Sequence, residues 1–253
     1  MNIFFGIKSE QIQSRINIPK FRNNTTTKNN HFLYKLNIKN SNWQYEKLVN
    51  LDNSDFYFID KDHSNNDDIY VISNENEIIK ISEKNEIVDL NNFTNTSPDY
   101  RANLKVNAID GGFSSYQSDY PFNMTKKNGS VLSPISTLTN DDADLNYLVF
   151  KNIYNKPIIE DFNIYIINIK TKEVLDTLKA KSNRTNIFEI KKSLIKSENY
   201  IFSKKFIGIP IYISIKNKHV SMEHTHPPHE YILSKDKFYR VSLLKKQIDE
   251  IIT

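Results

Sequence analysis

The chain has 253 residues, with 34 basic and 30 acidic side chains and no cysteine. The near balance of charge, without a basic stripe interleaved with aromatics, disfavours nucleic-acid binding, and the lack of cysteine excludes disulfides, thiolate metal ligands and cysteine nucleophiles. Residues 1–7 are too short and lack the basic start of a signal peptide, and no apolar run has the length of a membrane span, so we expect a cytoplasmic protein without membrane contact.

The N-terminal part predicts a small β-meander. After a polar tract at 23–30, residues 31–38 alternate apolar and polar side chains and predict a strand. Four further short strands are predicted in one meander, separated by Asn-containing turns. These strands are expected at 55–59, 69–72, 77–81 and 86–88. The only tryptophan, Trp43, is expected in the core. The Asn- and Thr-rich segment 91–99 is the best internal boundary, which divides the chain into regions 1–96 and 97–253.

The second region predicts an antiparallel β-sandwich or jelly-roll-like domain. Its strands recur every eight to twelve residues, which is typical of such folds. They are expected at 101–108, 120–124, 131–138, 146–154, 162–169, 173–178, 186–190 and 199–202. Near the C-terminus, Val241, Leu244, Ile248 and Ile251 recur at helical spacing. This pattern predicts a final helix that covers an open side of the sheet, and docking of a partner is its alternative role.

The segment 113–122 mixes aromatic and polar side chains in a predicted loop. Tyr116 and Tyr120 could stack on a sugar while Gln117 and Asp119 bind its hydroxyls, so these four are candidate ligand-binding residues. The alternative is a loop that is held in place by its own aromatic side chains.

Two other short motifs are weaker signals of function. The pair Gly111–Gly112 predicts a backbone that needs positive φ or a close approach of another segment. The run 141–144 carries three aspartates but lacks the glycine and the alternate spacing of a calcium-binding loop, which favours a solvated turn.

The stretch 223–230 is the main candidate site, because it holds three of the six histidines. Residues 206–215 and 219–226 predict two strands joined by a turn, with His224 and His226 on one face of the second strand. Two imidazoles at this spacing can bind one ion, and a proline pair after them ends the strand and could return His229 or Glu230 to the same point. We therefore expect a divalent metal such as Zn, Fe or Mn on His224, His226, Glu230 and His229.

The spacing His224-x-His226-x-x-x-Glu230 resembles the first metal motif of the cupin family. In that family, β-barrels hold a divalent metal with two His, a Glu and a later His. The resemblance covers these seven residues. The glycines that flank the motif in cupins are missing, and no histidine follows position 229, so the family is not assigned.

The leading functional hypothesis is a soluble β-sandwich that binds a divalent metal and acts on a sugar or a carboxylic acid. Its first alternative is a non-catalytic glycan- or protein-binding module that uses the 113–122 segment. Its second alternative is an acid/base cluster or a structural loop without metal at the histidines. The abundant Asn, Ile and Lys are typical of an AT-rich bacterial genome.

Overall fold

The computed structural model of the protein describes residues 1–20, 31–48, 55–90, 102–117, 120–224 and 233–252. The polar tract at 23–30 and the predicted boundary at 91–99 lie outside these ranges. The described elements, in chain order, are β1 Asn2–Phe4, β2 Ile12–Pro19, β3 Phe32–Lys39, β4 Asn42–Lys47, β5 Phe56–Ile59, β6 Ile69–Ser73, α1 Glu75–Lys84, β7 Asn103–Ala108, β8 Phe113–Gln117, β9 Tyr120–Pro121, β10 Val131–Pro134, β11 Leu145–Lys151, β12 Asp161–Asn168, β13 Glu173–Lys181, β14 Thr185–Glu189, β15 Asn199–Ser203, β16 Ile211–Lys216, β17 His219–His224 and α2 Lys237–Ile251.

These strands form four antiparallel sheets. The N-terminal sheet has the order β4-β3-β6-β1-β9, and the second sheet has the order β5-β2-β7-β8. The middle sheet runs β14-β11-β16-β17, and the outer sheet runs β10-β15-β12-β13. The predicted mainly β architecture, with N-terminal strands and a C-terminal helix, is confirmed and is consistent with a β-sandwich.

The middle sheet is buried on both faces. On one face of β11, Leu148 and Phe150 pack in a cluster with side chains of the outer sheet. On its other face, Tyr147 and Val149 join the large cluster formed with the two sheets of the N-terminal part. Strands covered on both sides need apolar residues at successive positions, which explains the nearly continuous apolar runs of β11 and β16.

The outer sheet is covered by α2, as the sequence predicts. Ile248 is buried among Leu132, Ile167 and Phe202 of that sheet, and Leu244 packs against the same cluster. From one side of the fold to the other, the layers are therefore the N-terminal sheets, the middle sheet, the outer sheet and α2. Neither described α-helix has the length and apolar character needed to cross a membrane.

The predicted division at residue 96 does not coincide with the sheets. β2 pairs with β7 along six residues, so the second sheet combines strands from both sides of that position. β1 likewise pairs with β9 in the N-terminal sheet. The largest buried cluster includes Ile16, Leu104 and Ile213, which come from the second and the middle sheet. Residues 1–96 thus share their core with the later chain.

The predicted strand at 77–81 is wrong, because these residues belong to α1. The Asn74 side chain accepts a hydrogen bond from the Glu77 N–H at 2.9 Å and caps the helix. Ile78 and Ile81 lie three residues apart and are buried, whereas Ile79 is exposed. This is the spacing of one helix face. An isoleucine-rich run of five residues is compatible with the period of a helix and with that of a strand, which explains the wrong prediction.

Two other predicted strands are also corrected. Residues 86–88 follow α1 and join none of the described sheets. Of the predicted strand at 120–124, only Tyr120–Pro121 pairs, and a 3₁₀ helix follows at Phe122–Lys126. Two strands that were not predicted, β1 and β2, hold the N-terminus inside the two N-terminal sheets.

Lys151, the last residue of β11, has its side-chain amine buried in the interior. Its side chain is fully buried, and Nζ donates hydrogen bonds to the carbonyl oxygens of Asn66 at 2.7 Å and Asp68 at 3.1 Å. Burial lowers the pKa of Lys151 to about 7, although the nearby carboxylates of Asp67 and Asp68 oppose this shift. A neutral amine has two N–H groups, which matches the two carbonyl acceptors.

We predict that Lys151 makes stability depend on pH. From pH 7 towards the ordinary lysine pKa of 10.5, the unfolded chain keeps a proton on Lys151 that the folded chain has lost. The free energy of unfolding should therefore rise with pH in this window, by up to about 1.4 kcal/mol per pH unit, and should not respond to this group below it. Urea unfolding of wild type and Lys151→Met from pH 6 to 9.5 measures the difference.

The matched control is Lys61→Met, which removes an exposed lysine. In Lys61→Met the free energy of unfolding should rise with pH as steeply as in the wild type, whereas in Lys151→Met this rise should be smaller. Equal slopes for all three proteins above pH 7 would contradict the assignment.

Candidate functional site

The candidate histidine strand is β17, an edge strand of the middle sheet. It forms a hairpin with β16 through a two-residue turn at Asn217 and Lys218, whose φ values are 48° and 68°. Positive φ at both central residues is the hairpin turn that fits twisted strands. The Asp144 carboxylate accepts a hydrogen bond from the Asn217 N–H at 2.8 Å, so the aspartate-rich turn holds this hairpin in position.

The two faces of β17 follow the predicted alternation. Met222 is buried and His224 is half-buried on the inner face, while His219 and Glu223 are exposed on the other. The His224 ring lies 4.5 Å from the Tyr116 ring, centroid to centroid, with an angle of 44° between the planes. The predicted loop at 113–122 is wrong over its first five residues, which form β8 at the edge of the second sheet. Tyr116 belongs to this strand, so two predicted candidate regions meet where the edges of two sheets come together.

Gly111 and Gly112 make this approach of β8 and β17 possible. The Gly112 N–H donates to the Lys218 carbonyl at 2.7 Å. A Cβ on Gly111 would lie 2.3 Å from that same carbonyl oxygen, whereas a Cβ on Gly112 would lie 3.4 Å from it. Neither glycine has positive φ. The close-approach interpretation is therefore confirmed, and Gly111 is the position where the space is needed.

The remaining predicted site residues are placed as follows. Tyr120 is only 2% exposed and packs in the core near Gly208, so its ring is not at the surface. Gln117 ends β8. Four predicted residues lie outside the described ranges, namely Asp119, His226, His229 and Glu230. Within the ranges that the structure does describe, no three His, Asp or Glu side chains form a group that could hold a metal.

Two other described histidines, His63 and His31, belong to the N-terminal part. Nδ1 of His63 lies 2.7 Å from Oδ1 of Asp60 in an exposed pair. His31 is buried, and its carbonyl accepts a hydrogen bond from the Tyr57 hydroxyl at 2.9 Å. Among the histidines that the structure describes, His224 combines a predicted ligand role with a partly enclosed position.

A groove of about 850 Å³ runs along β14, at the opposite edge of the middle sheet. This groove was not predicted, because its lining comes from distant segments, including Lys8, Glu10, Asn66, Lys181 and Ile187. Lys151, at the end of the apolar run of β11, does not line the groove but binds the turn that supplies part of its lining. A lysine at the end of a doubly buried strand needs polar groups from another segment.

Comparisons with protein family models, with curated proteins and with solved structures find no match to this chain. The interpretation of both edges of the middle sheet therefore depends on their own geometry.

We predict unequal effects of adding one methyl group at the two adjacent glycines. Gly111→Ala should lower the free energy of unfolding by about 1–3 kcal/mol, because the backbone of the β16–β17 turn would have to move. Gly112→Ala should cost less than about 1 kcal/mol, because its Cβ would meet the Lys218 oxygen at 3.4 Å. Denaturant unfolding of both variants measures the difference. Equal losses would mean that the Lys218 contact does not require glycine at 111.

Proposed function

We propose that the end of β17 is part of a divalent metal site, with His224 as its first ligand and His226, Glu230 and His229 as the further ligands. The observation that supports it most is the half-buried His224 imidazole, held against the Tyr116 ring at the junction of two sheet edges. A ligand whose ring is already oriented by packing loses less conformational entropy when it binds an ion.

The chemistry of the donor set favours a borderline first-row ion. The chain has no cysteine, so its ligands are nitrogen and oxygen atoms. Imidazole together with a carboxylate suits Zn or Fe, and a larger share of oxygen ligands suits Mn. The next histidine on the same face of an extended chain after His224 is His226, which is the ligand spacing that the proposal uses.

An open coordination position would let this site act on a substrate. A bound divalent ion lowers the pKa of its water ligand and polarises carbonyl or hydroxyl oxygens, so the substrate class is a sugar or a carboxylic acid. The Tyr116 ring beside His224 would supply an aromatic wall to the substrate, in the manner in which aromatic side chains stack on sugars.

We predict near-stoichiometric Zn, Fe or Mn in untagged protein purified without chelator, measured by elemental mass spectrometry. His224→Ala should lose the metal, because no remaining ligand replaces the imidazole that the packing orients. His63→Ala is the matched control, since it removes an exposed histidine that is paired with Asp60, and it should keep the metal.

The same samples give a second readout. Adding the identified ion to metal-free wild type and to His63→Ala should raise the melting temperature, because a ligand that binds only the folded state stabilises it. His224→Ala should show no such rise. Wild-type protein that stays metal-free after incubation with each ion would contradict the proposal.

A further inference from the structure

The outer edge of β14 lies in a recess that the layering of the fold creates. The outer sheet covers one face of the middle sheet, and its last strand, β13, contributes Lys179 and Lys181 to the groove. On the other face, residues 8–11 and 65–67 contribute the opposite rim. Asn66 joins the two parts of this rim, because its side chain exchanges hydrogen bonds with the Lys8 N–H at 3.0 Å and the Lys8 carbonyl at 2.7 Å.

The backbone of β14 directs polar groups into this groove. The Thr185 N–H donates away from β11, to the Asn66 carbonyl at 2.7 Å. In an antiparallel ladder, N–H and C=O groups of alternate residues point to opposite sides. The backbone N–H and C=O groups of Ile187 and Glu189 therefore point outward as well. The Ile190 N–H agrees with this register, since it donates inward to the Asn146 carbonyl.

These outward groups are available to a partner. In the described chain, neither the Ile187 N–H nor the Glu189 N–H makes a hydrogen bond. Exposed backbone donors and acceptors on a sheet edge are a template for another extended strand. The groove beside them is long enough to be lined by residues from both ends of β14, Thr185 and Glu189.

The charges of the rims favour an acidic partner. Arg184 and Asp67 form a two-bond ion pair and neutralise each other. No carboxylate of the described residues lies within salt-bridge distance of Lys8 or Lys179. Lys181 has only a long contact, 3.8 Å from the exposed Asp161. Lys8, Lys179 and Lys181 thus line the groove together with two further acidic residues, Glu10 and Glu189.

We propose that the β14 edge binds an extended acidic polypeptide segment by strand addition. The backbone of the segment would pair with the outward N–H and C=O groups of Ile187 and Glu189. Carboxylates at alternate positions lie on one face of an extended segment, and there they would reach Lys179 and Lys181 on the rim of the outer sheet, whereas Lys8 lies on the opposite rim. A recessed edge admits a single strand more readily than the edge of a second folded copy of this chain, because both copies would carry the same rims.

The first test uses fluorescence anisotropy with a labelled octapeptide of alternating Asp and Val, compared with one of alternating Lys and Val. Wild type should bind the acidic peptide and not the basic one. Glu189→Pro removes only an outward N–H, and proline is tolerated at such an edge position. Glu189→Ala is its matched control, since both variants lose the same carboxylate. The acidic peptide should bind Glu189→Pro about fivefold or more weakly than Glu189→Ala, which corresponds to one lost hydrogen bond.

A charge reversal provides a second, independent test should Glu189→Pro fail to fold. The double variant Lys179→Glu, Lys181→Glu leaves β14 intact and should exchange the preference from the acidic to the basic peptide. Failure of wild type to bind the acidic peptide, or equal binding by Glu189→Pro and Glu189→Ala, would overturn the proposal. Heparin binding that is equal in both Glu189 variants, without peptide binding, would assign the groove to an anionic polysaccharide and would also overturn strand addition.

Discussion

Burial of the middle sheet on both faces is the constraint on which the rest of the structure depends. Once β11 and β16 are apolar on both sides, each face needs a complete layer against it. The outer sheet supplies one layer and in turn needs α2 on its far side. The N-terminal sheets supply the other layer, and they are completed by strands from later in the chain. The fold is therefore one continuous stack.

Lys151 shows how this constraint is met at the end of a doubly buried strand. Removing a lysine from water costs several kcal/mol unless its polar atoms are paired. Here the carbonyls of Asn66 and Asp68 accept both of its hydrogen bonds. Thr185, its ladder neighbour, binds the same turn through its own N–H. The 65–68 turn is thereby fixed against the middle sheet, and the same turn supplies a rim of the β14 groove.

Local patterns in the sequence were sufficient for most of the strands but not for their assembly. Alternation and turn residues located β3 and nearly every strand from β10 onwards, and they predicted the alternation of the two faces of β17. The helix α1 was not predicted because five residues rich in isoleucine satisfy both the strand and the helix period, and the signals of a helix, such as the Asn74 cap, lie at its ends.

The shared sheets could not be predicted, because the pairing of β2 with β7 joins positions about ninety residues apart, and no local pattern encodes such a partner. The contact between Tyr116 and His224 has the same origin. Each residue was identified as a candidate from its own neighbourhood, and only the packing of two sheet edges brings the rings together.

The two proposed sites occupy opposite edges of the middle sheet, with β11 and β16 between them. Three strand spacings separate the edges by about 14 Å. Energetic coupling between them would require an element with two discrete arrangements, yet β11 and β16 are packed on both faces, which resists sliding or rotation. Metal binding at β17 and strand addition at β14 should therefore be independent, so that a variant at either edge tests its own site without disturbing the other.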